Sequence, residues 1–298
     1  MADTASLRSP RAGRAARSGR TGRPAQTSRS GSVVVHTVLI VGAVVMVVPF
    51  FWELMTSLKT FAESTAVPPK VFPAQAQWVN FSSVFAALPF GTQFVNTVIM
   101  TVARTAGQVL FCSAAGFAFA RLRFPGREVI FVLFLSVLMI PSQLFLLSQY
   151  EIMQGLGLLN TITALALPGV FSAFGTFLMR QFFLQLPAEL DEAARLDGAN
   201  PFQIYWRVML PLARNGMLAL GILTAIWSWN DLLWPLVVNN DPEKMPLSAG
   251  LATLQGQFLT NYPVLMAGSI LASVPMIALF VIFQRNMVEG IASSGIKG

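Results

Sequence analysis

Few residues in this 298-residue chain could do covalent chemistry. There is one cysteine, Cys112, and one histidine, His36. A single thiol excludes an internal disulfide and a paired-cysteine metal site, and a lone imidazole excludes a histidine cluster. His36 reads as an ordinary residue near the start of an apolar run. No GxxxxGK[ST] phosphate loop occurs, so the chain alone is not expected to hydrolyse ATP. No nucleophile is set beside a base, and the sequence reads as non-catalytic, with no cofactor and no metal. What remains are ionisable side chains in unusual places. Glu189, Asp191, Glu192, Arg195 and Asp197 crowd into one polar stretch between apolar runs. Arg104 and Asp231 lie inside apolar runs, where an ionised group is expensive unless paired or wetted by a cavity. Trp227, Trp229, Asn230 and Trp234 flank Asp231 and could stack on and hydrogen-bond to a saccharide. Tryptophan at a lipid interface or in helix packing is the competing reading.

The elements that must position these residues are set by composition. The chain is 54% hydrophobic and only 11% charged, against about 25% charged in a soluble domain. That leaves too little polar surface to cover a water-facing globule, and the expectation is an all-α polytopic protein of the lipid bilayer. The net charge of +7 does not imply nucleic acid, because seven of the 20 basic residues sit in the first 30 positions. Residues 1–31, rich in Arg, Ser and Gly, are expected to form a disordered basic tail, since nothing in them offsets the entropy of ordering. The apolar run that follows is too long for a signal-peptide core and reads as a retained span. Residues 32–298 form the membrane domain. At roughly 20 apolar residues per crossing, six spans fit: about 33–57, 94–120, 129–149, 160–183, 216–238 and 264–284. With the N-terminus inside, sixteen Lys and Arg fall in inner segments and only Lys59, Lys70 and Lys244 in outer ones. This bias predicts that both termini are cytoplasmic. Small residues four apart, Ala103 with Gly107, Gly116 with Ala120 and Gly268 with Ala272, mark places where helices can approach closely. Counting from the expected outer span ends, Arg104 and Asp231 differ in depth by only roughly 5 Å, within an arginine's reach; pairing within this chain is the favoured expectation, and the alternative is that each charge faces water or a partner chain separately.

The longest inner loop, about 185–214, carries the acidic stretch. Pro187 suits a first helical turn. Glu189, Asp191 and Glu192 favour the positive end of a helix dipole. Gly198 can stop the helix and Pro201 bars its continuation. A second helical stretch, about Phe202 to Leu210, is expected to end at Pro211. The loop thus reads as a compact helix–turn–helix, too polar to enter the bilayer and suited to docking a soluble partner.

Glu192-Ala193-Ala194, then Gly198, Val208 and Leu210-Pro211, resemble the spaced EAA signature of binding-protein-dependent ATP-binding-cassette importers. The segments Phe117–Arg127 and Ala173–Gly198 and the run Trp227–Leu236 look like carbohydrate-uptake permeases of the maltose-transporter type. Pro246-Leu247 through Gly256-Gln257 resembles the outer loop that, in that family, reaches into the binding protein. The resemblance implies a type I importer permease of the bacterial plasma membrane, forming half of a translocation channel. It implies as partners a second homologous permease, cytoplasmic ATPase subunits, an extracytoplasmic solute-binding protein and a sugar substrate. Glu192, Ala193, Ala194, Asp197, Gly198, Leu210 and Pro211 would then couple to the ATPase. Arg104, Trp227, Trp229, Asn230 and Asp231 could line the path of the solute. Glu289–Gly298 resembles permease tails that reach the ATPase interface. An ion-coupled secondary transporter and a polytopic membrane enzyme are the alternatives.

Overall fold

The computed structural model describes residues 29–256 and 259–295. Residues 1–28 of the basic tail, Gln257, Phe258 and the last three residues lie outside that set. The described residues form helices and no strand. The chain divides into two units, residues 1–50 and 51–298. The helix Arg29–Ser57 begins two residues before the expected tail boundary, and its side chains from Val33 to Phe50 are exposed. Three helices are long and apolar enough to cross a membrane: Val33–Ser57, Phe90–Arg121 and Tyr262–Gln284. Three bent helix pairs pass the same test together, which brings the number to six if each pair is one span.

Two of these bends fall within expected straight spans, and each has a local cause; in the third pair Pro201–Leu212 meets Arg214–Trp229 at 76°, at the junction of the inner loop and the fifth expected span. The run 129–149 is split into Arg127–Met139 and Ser142–Gly155, which meet at 95°. Pro141 stands at that corner, where it has no N–H to continue a helix. The run 160–183 is two arms, Ile162–Gly169 and Ala173–Gln185, bent by 45°. Ser172 restarts the second arm by accepting the Gly175 N–H at 3.0 Å. The run 216–238 is not one helix either. It stops at Trp229 and resumes as Leu233–Val238. In a continuous helix the Asp231 carbonyl would accept from residue 235, which is a proline. The Ser248 hydroxyl donates to that carbonyl instead, at 2.5 Å.

The helix Phe90–Arg121, hereafter the central helix, packs most extensively against the arm Ala173–Gln185 and the helix Arg214–Trp229. Its packing uses small residues where sequence spacing placed them. A Cβ on Gly116 would stand 2.7 Å from Met179 Cβ and 2.8 Å from the Arg180 amide nitrogen, so only glycine lets the arm Ala173–Gln185 cross there. The glycines of the other two pairs are equally close to neighbours, Gly107 to Val170 and Gly268 to Leu251. Beside Gly116 lies an apolar core of Phe117, Met179, Phe183, Ile204 and Met209.

The central helix also carries a buried polar stripe: Gln93, Asn96, Thr97, Thr101, Arg104 and Gln108. Gln93 donates to Pro242 O at 3.1 Å, Asn96 donates to Glu243 O and Met245 O at 2.9 and 3.0 Å, and Thr97 Oγ1 accepts the Leu247 N–H at 2.8 Å. The outer part of the stripe, Gln93 to Thr97, therefore fixes residues 242–247 to the helix. A second anchor holds the loop after the first span. Lys59, 2% exposed, donates to Lys70 O at 2.5 Å and lies 4.5 Å from the Trp52 ring centre. Burial pushes its amine below the usual lysine range, with Glu63 acting weakly the other way.

Candidate functional site

The acidic stretch folds as a helix, Glu189–Leu196, here called the loop helix. Three acids occupy its first turn and Arg195 its last, the arrangement the helix dipole favours. Gly198 stops it with φ +81°, a left-handed conformation that costs any other residue strain. Asn200 then caps the next helical run in a reciprocal box with Gln203, both bonds 2.9 Å. That run differs from the expectation of a plain helix ending at Pro211. Ile204–Met209 is a π-helical turn, and helix continues through Pro211 to Leu212. The Leu210 N–H bonds to Tyr205 O, five residues back, before the proline interrupts the ladder.

The structure sorts the signature residues into two groups. Glu192, Ala193, Asp197 and Gly198 are exposed, as is Pro211, whereas Ala194 and Leu210 pack against the core around Met179 and Phe183. The exposed face continues into apolar side chains: Leu196 is 89% exposed and Phe202 71%. Phe202 stacks on Trp206 with ring centres 6.3 Å apart. An acidic helix end beside exposed apolar groups can accept a basic, apolar surface. Sequence reasoning missed the inward side of the loop helix. Asp191 is its one buried residue, and Arg121, the last residue of the central helix, lies 3.8 Å from it. The signal for Arg121 was its place in the Phe117–Arg127 segment, which stands out in the sequence for its resemblance to sugar permeases.

The second cluster surrounds Arg104 and Asp231, which form an ion pair at 2.7 Å. Their side chains are 8% and 25% exposed. Arg104 also donates to Leu165 O through Nε at 3.0 Å and Nη2 at 2.5 Å. One guanidinium therefore ties together the central helix, the break after Trp229 and the bent arm at Leu165. The pair lines two cavities, of about 240 and 220 Å3, that share Arg104, Gly169 and Asp231. Gln143, Gln149 and Trp234 face the first, and Gln108, Thr224 and Trp227 the second. Polar amides, hydroxyls and indoles around a neutralised ion pair suit hydrogen bonding and stacking.

Two of the remaining candidates, Trp229 and Asn230, are not brought to these cavities. Trp229 is buried against the last helix, donating to Ala272 O at 3.0 Å with its ring edge-on to Phe94. Asn230 is exposed and donates back to Ile226 O at 2.8 Å, closing its own helix. Trp234 donates to Ala164 O at 2.9 Å. The polar stripe that carries Arg104 and Gln108 was missed in the sequence, although polar residues three and four apart inside an apolar run are the signal that could have found it.

Comparison with known proteins agrees with this geometry. The chain is 40% identical over 220 residues to the arabinooligosaccharides transport system permease protein AraQ of Halalkalibacterium halodurans, covering 74% of this chain and 79% of that protein. It is 32% identical over 267 residues to the sn-glycerol-3-phosphate transport system permease protein UgpE of Yersinia enterocolitica, covering 87% of this chain and 95% of that one. A crystal structure of a bacterial ABC transporter involved in the import of the acidic polysaccharide alginate contains a chain of the same fold. It has a TM-score of 0.75 and 24% identity, covering 89% of this chain and 99% of that one. The pattern that defines the binding-protein-dependent transport system inner membrane components matches residues 112–292, from within the central helix through the loop helix and the helix breaks described above. The chain is a membrane protein and belongs to this family of binding-protein-dependent transport system inner membrane components.

Proposed function

We propose that this chain is the permease subunit of an ATP-driven importer for a sugar or oligosaccharide and forms half of its channel. The observation that carries the reading is the loop helix: an acidic helix, ended by Gly198 and held on the core by Ala194 and Asp191 while Glu192, Ala193, Asp197 and Gly198 face outward. Such a helix can seat in a cleft of an ATPase, with Glu192 pairing to a basic group and Ala193 permitting close contact. ATP binding then shifts the population between two arrangements of the spans. The subunit itself does no covalent chemistry. Both termini and the loop face the cytoplasm, and a second permease completes the channel. The path on this subunit runs past Arg104, Trp227 and Asp231. Permease relatives named for arabinooligosaccharides support a saccharide as the solute. A neighbour solved with an alginate pentasaccharide-bound periplasmic protein supports delivery by a solute-binding protein.

Proteoliposomes holding the permease pair and ATPase, with the binding protein outside, test the reading. Uptake of labelled arabinooligosaccharide should require enclosed ATP and persist when proton and sodium gradients are collapsed. Uptake driven by an ion gradient without ATP would instead establish the secondary-transporter reading.

A further inference from the structure

The Phe117–Arg127 segment contains an arginine whose contacts exceed anything a solvated loop charge needs. Arg121 ends the central helix, and its side chain is 9% exposed. Its Nε and Nη2 donate to Phe183 O at 3.1 and 2.5 Å, and Nη2 also donates to Leu186 O at 2.5 Å. These carbonyls belong to the last turn of the arm Ala173–Gln185 and the residue after it. Nη1 lies 3.8 Å from Asp191 Oδ2, also 9% exposed, on the loop helix. Asp191 Oδ1 has no hydrogen-bond partner among the described residues, so Arg121 supplies the compensation for this buried carboxylate. A second tie joins the rest of the inner loop to the central helix: the Tyr205 and Ser113 hydroxyls, both buried, are 2.8 Å apart and link the π-helical turn to it.

We propose that Arg121 is a positioning residue that makes the loop helix and the central helix move as one body. A displacement of the loop helix is thereby handed to the helix that bears Arg104 and holds residues 242–247. The inference rests on the loop helix being the ATPase-docking element. Pro187 is a chain interruption just before the loop helix, so without the Arg121 tie the loop helix can swing while the central helix stays in place.

Spin labels at Glu189→Cys on the loop helix and Leu110→Cys on the central helix test this in the assembled complex in nanodiscs. Both positions are exposed, and native Cys112 is fully buried. With Arg121 present, the distance distribution between labels should stay in place when ATP and vanadate are added. In Arg121→Gln it should shift by about 2 Å or more on nucleotide binding, with Arg121→Lys restoring the native behaviour. Asp191→Asn, which keeps the carbonyl bonds and removes the ion pair, serves where Arg121→Gln does not assemble, and it too should release a shift. A nucleotide-dependent shift in the otherwise native chain would overturn the proposal, as would an assembled Arg121→Gln or Asp191→Asn complex that keeps the distance fixed. Co-purification of the ATPase with and without Glu192→Lys checks the docking reading separately. If that substitution leaves capture intact, docking and joint fall together; if capture is lost but the native labels shift, the joint alone falls.

Discussion

Arg104 and Asp231 show how far the surroundings of a single residue in the chain can point to its role. A charge inside an apolar run is costly wherever the helix lies, so both residues could be flagged from one-dimensional context, and the structure joins them at 2.7 Å. Arg121 and the inward role of Asp191 escaped because each falls in a polar segment, where a charge gives no sign of being buried. Their burial arises only when the arm Ala173–Gln185 and the loop helix close over the end of the central helix. Likewise nothing in the run Trp227–Leu236 distinguishes Trp227, which faces a cavity, from Trp229, which packs on the last helix. Removing one member of a buried pair leaves the other uncompensated, at a cost of about 3–5 kcal/mol. Arg104→Ala should therefore lower the melting temperature of the purified permease and depress uptake. Adding Asp231→Asn should recover part of both losses, though not all, because Leu165 O still lacks its donor. A double mutant no better than the worse single one would count against a shared role for the pair.

Among elements, the helical class, the membrane setting and the loop helix were legible, whereas the breaks were not. Hydropathy counts apolar residues without regard to direction, so a 95° corner at Pro141 and a gap at 230–232 look like continuous spans. The clue to the second break was Pro235 four residues after Asp231, which removes the donor for that carbonyl; its replacement, Ser248, is distant in sequence. Small-residue spacing was more informative. Gly116→Leu should abolish stable expression, since its side chain would enter the space of Met179 and the Arg180 backbone. Immunoblots of membranes showing normal levels would refute that crossing. Gly198→Val should act differently. Open space surrounds Gly198, so the substitution costs only the strain of a β-branched residue at φ +81°, about 1–2 kcal/mol. The protein should insert normally but lose ATPase-coupled uptake.

At the scale of the whole molecule, the bias of basic residues predicts an orientation that impermeant thiol reagents can read in intact cells. In a Cys112→Ser background, a cysteine at exposed Asn240 should react readily, whereas one at exposed Leu196 should resist until the cells are permeabilised. The reverse pattern would put the loop helix on the wrong side to meet an ATPase. Sequence alone predicts this side but does not show which distant parts of the chain touch: the stripe on the central helix joins residues 242–247, the Arg104 pair and, through Arg121, the loop helix. Coupling between the loop helix and the spans is most directly tested by ATP-driven uptake in proteoliposomes carrying Glu192→Lys beside the unsubstituted protein at equal membrane content. The substituted permease should insert normally and transport no solute in response to ATP. Uptake at the unsubstituted rate would show that the loop helix is not where ATP hydrolysis is coupled to transport.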